Sequence, residues 1–247
     1  MPTARRQPEA PPRPGGSRAR VNNTAHLVYR ELRDDIVSMR RQPGQPIVEK
    51  EIALARGVSR TPVREALLRL ADEDLVDIFP QSGTFVARIP ASALPEAILM
   101  RTAIEQTTAR LAAERADAAE VARLHELLDM QRRVEARGDR DRFHAADEAF
   151  HAAIADAAGH PGVWRFIEQV KIQIDRFRRL TLPVPGRMRL VLGEHAAVVA
   201  AIEAHDPTAA AAAMAAHLEA LRASIGDVRD LNPDYFVDGS LPRALSA

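Results

Sequence analysis

Apolar residues recur at helical spacing along most of this chain and alternate like strands over one short stretch. In "TAHLVYRELRDDIVSMR", Leu27, Val28, Leu32, Ile36 and Val37 form one stripe and predict a helix from about Thr24 to Arg40. Pro43-Gly44 and Pro46 stop it. "EKEIALARGV" predicts a short second helix ending near Gly57, a residue suited to the left-handed position after a helix. In "GVSRTPVREALLRL", Val63, Ala66, Leu67 and Leu70 make the buried face of a third helix. Ser59 stands as its N-cap, and Pro62 falls in the first turn, where N–H groups lack intrahelical partners. "LVDIFPQSGTFVARI" then alternates as two strands around a turn at Pro80–Gly83. Two short helices across a glycine turn followed by a β-hairpin describe a winged helix-turn-helix.

From Ala91 onward the helical period persists to about Val228. Six helices are predicted, over 92–115, 118–137, 140–158, 162–181, 187–204 and 207–228. Gly138-Asp139, "AGHPG", "LPVPG" and "HDP" punctuate them, and connections this short imply an antiparallel bundle. The single tryptophan, Trp164, reads as core rather than as a ligand platform. The fold class is mainly α, a winged helix-turn-helix followed by an all-α bundle. The expected division is a disordered basic arm over 1–23, the winged domain over 24–90, the helical domain over 91–230 and a tail over 231–247.

Composition narrows the chemistry. Cysteine is absent from the 247 residues, so any metal must be held by His, Asp or Glu. No strongly apolar run is long enough to span a bilayer, and "MPTARRQPEAPPRPGGSRAR" has no apolar core of a secretory signal, so a cytoplasmic protein with no membrane partner is expected. Net charge is zero, but residues 1–90 hold 15 Lys+Arg against 11 Asp+Glu, and the remainder is acidic to the same extent.

The third helix concentrates that charge. Arg60 and Arg64 are outward i, i+4 neighbours at the positive end of the helix dipole, and both relations are unfavourable without an external anion. DNA phosphates and guanine edges supply one, arginine being the side chain that reads guanine O6 and N7 bidentately. "VSRTPVREALLRL", followed by "LV…PQSGTFVA", resembles the DNA-binding domain of the GntR family of bacterial transcription regulators over about residues 24–90. The resemblance implies base and phosphate contacts from Arg60, Thr61 and Arg64, a phosphate contact from Lys50 and a minor-groove approach by Gly83. Asp74 departs from the pattern, standing where the family often has glycine.

In the helical region Asp147 and His151 share one face in "DEAFH", while His195 and His217 lie on two later helices. One Asp and three His form a plausible shell for Zn²⁺, Ni²⁺, Mn²⁺ or Fe²⁺, and helical phase alone leaves them open as ordinary buried histidines. "DEAFHAAI", "EHAAVVAAIEAHDPTAAAAAMAAHL" and "MRTAIEQTTARLAA" resemble the ligand-binding FCD domain of FadR-type GntR regulators, over about 92–228. There an Asp-x-x-x-His pair and two later histidines commonly hold a divalent metal that helps bind a small organic acid. Asp147, His151, His195 and His217 match those positions; His26, His125, His144, His160 and His205 do not, although His144 lies one turn before Asp147. Zinc is the first choice of metal.

Arg101 occupies an arginine position of the same pattern and would suit an effector carboxylate, with an intrahelical pair to Glu105 as the alternative. Lys171, Arg176 and Arg178 are further cations for that role. The expected protein is a metal-containing, effector-responsive repressor, a homodimer on a palindromic double-stranded operator. The alternatives are a metal-dependent hydrolase or hydratase built on the same Asp/His₃ set, and a direct metal sensor. Against the hydrolase, Glu148 and Glu194 point away from their neighbouring ligands by about 100° along the helix.

Overall fold

The computed structural model describes residues 16–238, with side chains from Asn23 onward. The expected arm therefore falls largely outside the described residues; its last part, from Gly16, is already helix. The described chain divides into two compact units, one of residues 16–34 and 46–85, the other of residues 35–45 and 86–238.

The first unit is built on α1 (Gly16–Val37), α2 (Glu49–Arg56) and α3 (Arg60–Asp72). Val63, Ala66, Leu67 and Leu70 of α3 are all essentially inaccessible, as their spacing requires. On α1 the buried stripe runs through Ala25, Val28 and Leu32, and Leu27 is 44% exposed, contrary to expectation. Alanine at 25 continues the i, i+3, i+7 line that Leu27 leaves. Gly57 takes φ 63 and its N–H caps α2, as predicted. Ser59 occupies the N-cap position of α3 in extended conformation, but its side chain makes no capping hydrogen bond. Asp74 has φ 54, while Asp74 N–H and Leu75 N–H close onto Ala71 and Leu70 carbonyls. This is a left-handed helix end, which explains why glycine would suit the position and why Asp is tolerated there.

The wing has three strands. β2 (Val76–Phe79) and β3 (Gly83–Val86) are the predicted hairpin, and β1 (Pro46–Ile47) pairs antiparallel with β3, Ile47 opposite Thr84. The stretch from Arg41 to Lys50 reads from sequence as a turn or short extended piece, and two residues are too few to show alternation.

The second unit contains β4 (Ile89–Pro90), α4 (Leu94–Arg115), α5 (Ala118–Glu135), α6 (Arg140–Ala157), α7 (Pro161–Val170), α8 (Ile172–Thr181), α9 (Arg187–Glu203), α10 (Pro207–Ala223) and α11 (Ile225–Leu231). A 3₁₀ turn at Pro233–Tyr235 leads to β5 (Phe236–Val237), which runs parallel to β4. The helix predicted over 162–181 is two helices meeting at Lys171. Their apolar faces explain the break. Trp164 and Ile167 of α7 pack with Ala155, whereas Ile174 and Phe177 of α8 pack with Ile89, Leu94 and Phe236. Likewise, the last predicted helix stops at Ala223, and part of the expected tail is the strap that carries β5.

Ala109, Leu124, Leu128, Phe150, Ile154, Val198, Ile202, Met214 and Leu218 make the main core, contributed by α4, α5, α6, α9 and α10. Trp164 is core, as predicted, at 8% exposure. Among the described residues no helix is long and apolar enough to cross a membrane.

Candidate functional site

The first unit presents one exposed basic face. Arg60, Thr61 and Arg64 stand at the start of α3, Lys50 at the start of α2, and Gly83 at the head of β3; all five are exposed. Pro62 and Val63 of the same turn point inward, so the helix period alone delivers the three polar residues to the outside. Arg60 is not left to an external anion alone: it donates to Glu49 across 3.0 Å, with its own side chain 70% exposed. A depression of about 370 Å³ lies between Glu49, Arg60, Thr61, Arg64, Glu65 and Leu68. Gly83 adopts φ 117, a conformation that side chains resist, so the wing turn itself requires glycine.

The second unit encloses a polar centre. His151, His195 and His217 offer ligand atoms that all lie within 4.8 Å of one another, and all three are buried. His195 Nε2 is 3.4 Å from His217 Nε2. Asp147 joins them from α6, its oxygens 3.6 Å from His195 Nε2 and 3.7 Å from His151 Nε2. Four residues spread over 70 positions of sequence thus reach one point because α6 turns two polar residues, and α9 and α10 one each, toward the core.

The other ring nitrogens fix the tautomers. His195 Nδ1 meets Gln131 Oε1 at 2.9 Å, the amide being oriented by its own donation to the Ala146 carbonyl. His217 Nδ1 meets Glu194 Oε2 at 2.7 Å, and His151 Nδ1 lies against Glu105. Carboxylate and amide oxygens only accept, so Nδ1 of His195 and of His217 carries the proton and their Nε2 atoms present bare lone pairs. Burial, then the neighbouring histidines, hold His195 and His217 well below the usual imidazole range, so protonation does not relieve the facing lone pairs. Neither ring nitrogen of His151 has a hydrogen-bond partner, Nδ1 lying only within ion-pair range of Glu105. A metal–imidazole bond of about 2.0–2.1 Å in tetrahedral array places nitrogens about 3.4 Å apart, the separation of His195 Nε2 from His217 Nε2. The donor set fits a divalent cation.

Asp147 is ionised. Burial would raise it, but the Arg178 guanidinium and the neighbouring histidines hold it well below the usual carboxylate range. Arg178 grips both oxygens, each at 2.5 Å. Arg101, fully buried, pairs with Glu105 as the intrahelical alternative anticipated, yet its Nη2 has no hydrogen-bond partner. Of the other cations, Lys171 binds Glu148 and Asp175, and Arg176 donates to the Ala87 carbonyl. His144 falls into a separate group with Glu148 and Asp175. His125 faces Glu203 on the surface, His160 meets Arg115, and His205 meets the Ala113 carbonyl.

Glu194, set about 100° around α9 from His195, reaches across to the Nδ1 of His217 and orients that ring. Gln131 and Glu105 were not identified as orienting residues at all. A polar residue in core phase was the available signal, Gln131 falling on the stripe of Leu124, Leu128 and Val134.

Comparison with known proteins agrees with this architecture. Residues 24–86 match the family described as bacterial regulatory proteins, gntR family, and residues 96–220 match the FCD domain. The HTH-type transcriptional repressor RspR of Escherichia coli K12 is 34% identical over 209 residues, covering 85% of this chain and 92% of the repressor. The crystal structure of a transcriptional regulator GntR from Rhodococcus sp. RHA1 superposes with a TM-score of 0.66 at 26% identity, covering 83% of this chain and 98% of that one. Escherichia coli McbR/YncC superposes with a TM-score of 0.68 at 24% identity, covering 83% and 97%.

Proposed function

Since the chain belongs to the GntR family of bacterial transcription regulators, with an FCD domain as its helical half, we propose that it is a metal-containing repressor released by a small organic acid. Both domains are those of regulators, not of an enzyme. The observation that carries the metal reading is the convergence of three buried imidazoles beside an ionised carboxylate. Asp147, His151, His195 and His217 would hold the ion, with zinc first and nickel, manganese or iron as alternatives. When bound, the ion supplies a concentrated positive charge and a coordination point for an oxygen ligand.

The chain's own groups do the rest. Glu105, Gln131 and Glu194 keep the three rings turned inward. The unpartnered Nη2 of Arg101 supports its role as the donor to an effector carboxylate, which favours an organic-acid response over direct metal sensing. On the DNA side, Arg60, Thr61 and Arg64 enter the major groove, Lys50 meets a phosphate and Gly83 brings the wing to the minor groove. Two chains, as a homodimer, read the half-sites of a palindromic operator.

Elemental analysis of the purified protein tests the metal centre. About one divalent ion per chain is expected, sharply reduced in His195→Ala and His217→Ala and unchanged in His125→Ala. Full occupancy in the first two variants would remove the site.

A further inference from the structure

Neighbouring residues of α8 make contacts in opposite directions. Arg178 holds both oxygens of Asp147 at the buried centre. Arg176, two residues earlier and so about 200° around the helix, is fully buried and donates Nη2–H to the Ala87 carbonyl at 2.5 Å. Ala87 follows the last wing strand directly, in the segment that joins β3 to α4.

That segment is fastened to α8 in other ways as well. Ile174 and Phe177 pack against Ile89, Ala91 and Phe236. Ala91 N–H donates to the Val237 carbonyl, and Arg88 donates to the Asp234 carbonyl, so the C-terminal strap clamps the segment from the other side. Apolar packing fastens the segment without aiming at any one of its polar atoms. The Arg176–Ala87 bond is different in kind. It is directional and charge-assisted, and it sits on the same rigid helix as the residue gripping Asp147.

We propose that Arg176 is the positioning residue through which the metal and effector centre acts on the segment leading from the DNA-binding domain. The inference rests on the function proposed above. Coordination by Asp147, or an effector carboxylate competing for Arg178, changes the anchor on one face of α8. The helix moves as a unit, and Arg176 transmits the shift to the Ala87 carbonyl. Arg176 is neither one of the four candidate ligands nor one of the exposed residues of α2, α3 and the wing, so its loss should uncouple the two functions without abolishing either.

The test uses the full chain, metal-stripped or loaded with Zn²⁺ alone, and DNA from upstream of its own gene. In wild type, operator affinity should differ at least about fivefold between the two forms. Arg176→Gln should take up Zn²⁺ as wild type does, with that ratio falling to within about twofold of unity. Arg176→Lys, which keeps the buried charge and one donor, should recover part of the ratio and covers the case in which the glutamine variant does not fold. A full ratio in either soluble variant, or a drop in affinity equal in both forms, overturns the proposal, since the latter is what a merely structural role produces. A wild type that binds Zn²⁺ with no change in operator affinity overturns it too.

A wild type that takes up no Zn²⁺ defeats the proposed function instead, and the latch is then read by hydrogen exchange. Asp147→Asn, which frees Arg178, should raise exchange of the amides between residues 86 and 91 in the wild-type background and not in Arg176→Gln. An equal rise on adding Asp147→Asn in both backgrounds overturns the latch on its own terms.

Discussion

His144 is buried beside the candidate metal ligands, and its behaviour shows what that environment does to one side chain. Burial first, and then the positive charges of Arg178 and Arg179, push its pKa down to about 2. In the unfolded chain it titrates near 6.5. Below that value the unfolded state takes up a proton that the native state refuses. The neutral ring's contribution is therefore intact above about pH 6.5 and is lost as pH falls from there toward 2. Between pH 7.5 and 5.0 this one residue should cost about 2 kcal/mol. Urea unfolding of wild type and His144→Asn at those two pH values checks it: the loss on acidification should be about 2 kcal/mol smaller in the variant, and equal losses would refute the assignment. At this scale the sequence was legible where a residue's role depends on its own helix. Asp147 and His151 fall on one face of α6 by spacing alone. The grip of Arg178 on Asp147 and of Glu194 on His217 joins residues 31 and 23 positions apart, which no local period encodes.

Among the elements, α3 was the most readable, because one amphipathic stripe decides both what it buries and what it presents. Its prediction follows from that division. Arg64 is exposed, about 100° around the helix from Val63, so Arg64→Ala should leave folding intact and reduce specific operator affinity by roughly 1–3 kcal/mol while sparing nonspecific binding. Lys50, at the start of α2, should instead weaken binding to every sequence and flatten the salt dependence when replaced by alanine. Titrations against operator and scrambled DNA at several salt concentrations separate the two; operator discrimination unchanged in Arg64→Ala would sink the reading of α3. The less readable elements are those whose ends are set by partners. The break between α7 and α8 carries neither Pro nor Gly, and follows from each helix packing into a different cluster. β1 exists because β3 lies beside it.

For the whole molecule, the period changes near Ala91, whereas the compact units place residues 35–45 and 86–90 with the helical part, and the strap that returns β5 to β4 left no signal, its two strands being 147 positions apart in register at two residues each. The consequence that matters at this scale is thermodynamic. If an organic acid bound through the metal and Arg101 alters operator affinity, it does so only by its differential affinity for two arrangements of the chain, a coupling of typically about 1–3 kcal/mol. Operator DNA must then change the acid's affinity by the same factor, because both routes around the cycle share their end states. A repressor released by its ligand fixes the sign: DNA should weaken acid binding. Calorimetric titration of a panel of mono- and dicarboxylates, with and without saturating operator, measures the factor directly, and operator titrations with and without the same acid must return its equal. His217→Ala, which removes one Nε2 from the centre, should lose both the acid's binding and its effect on DNA while retaining the basic face of α3. An acid that binds this variant as tightly as wild type would make the ion a structural support, and the coupling would then have to originate at Arg101 and its neighbours alone.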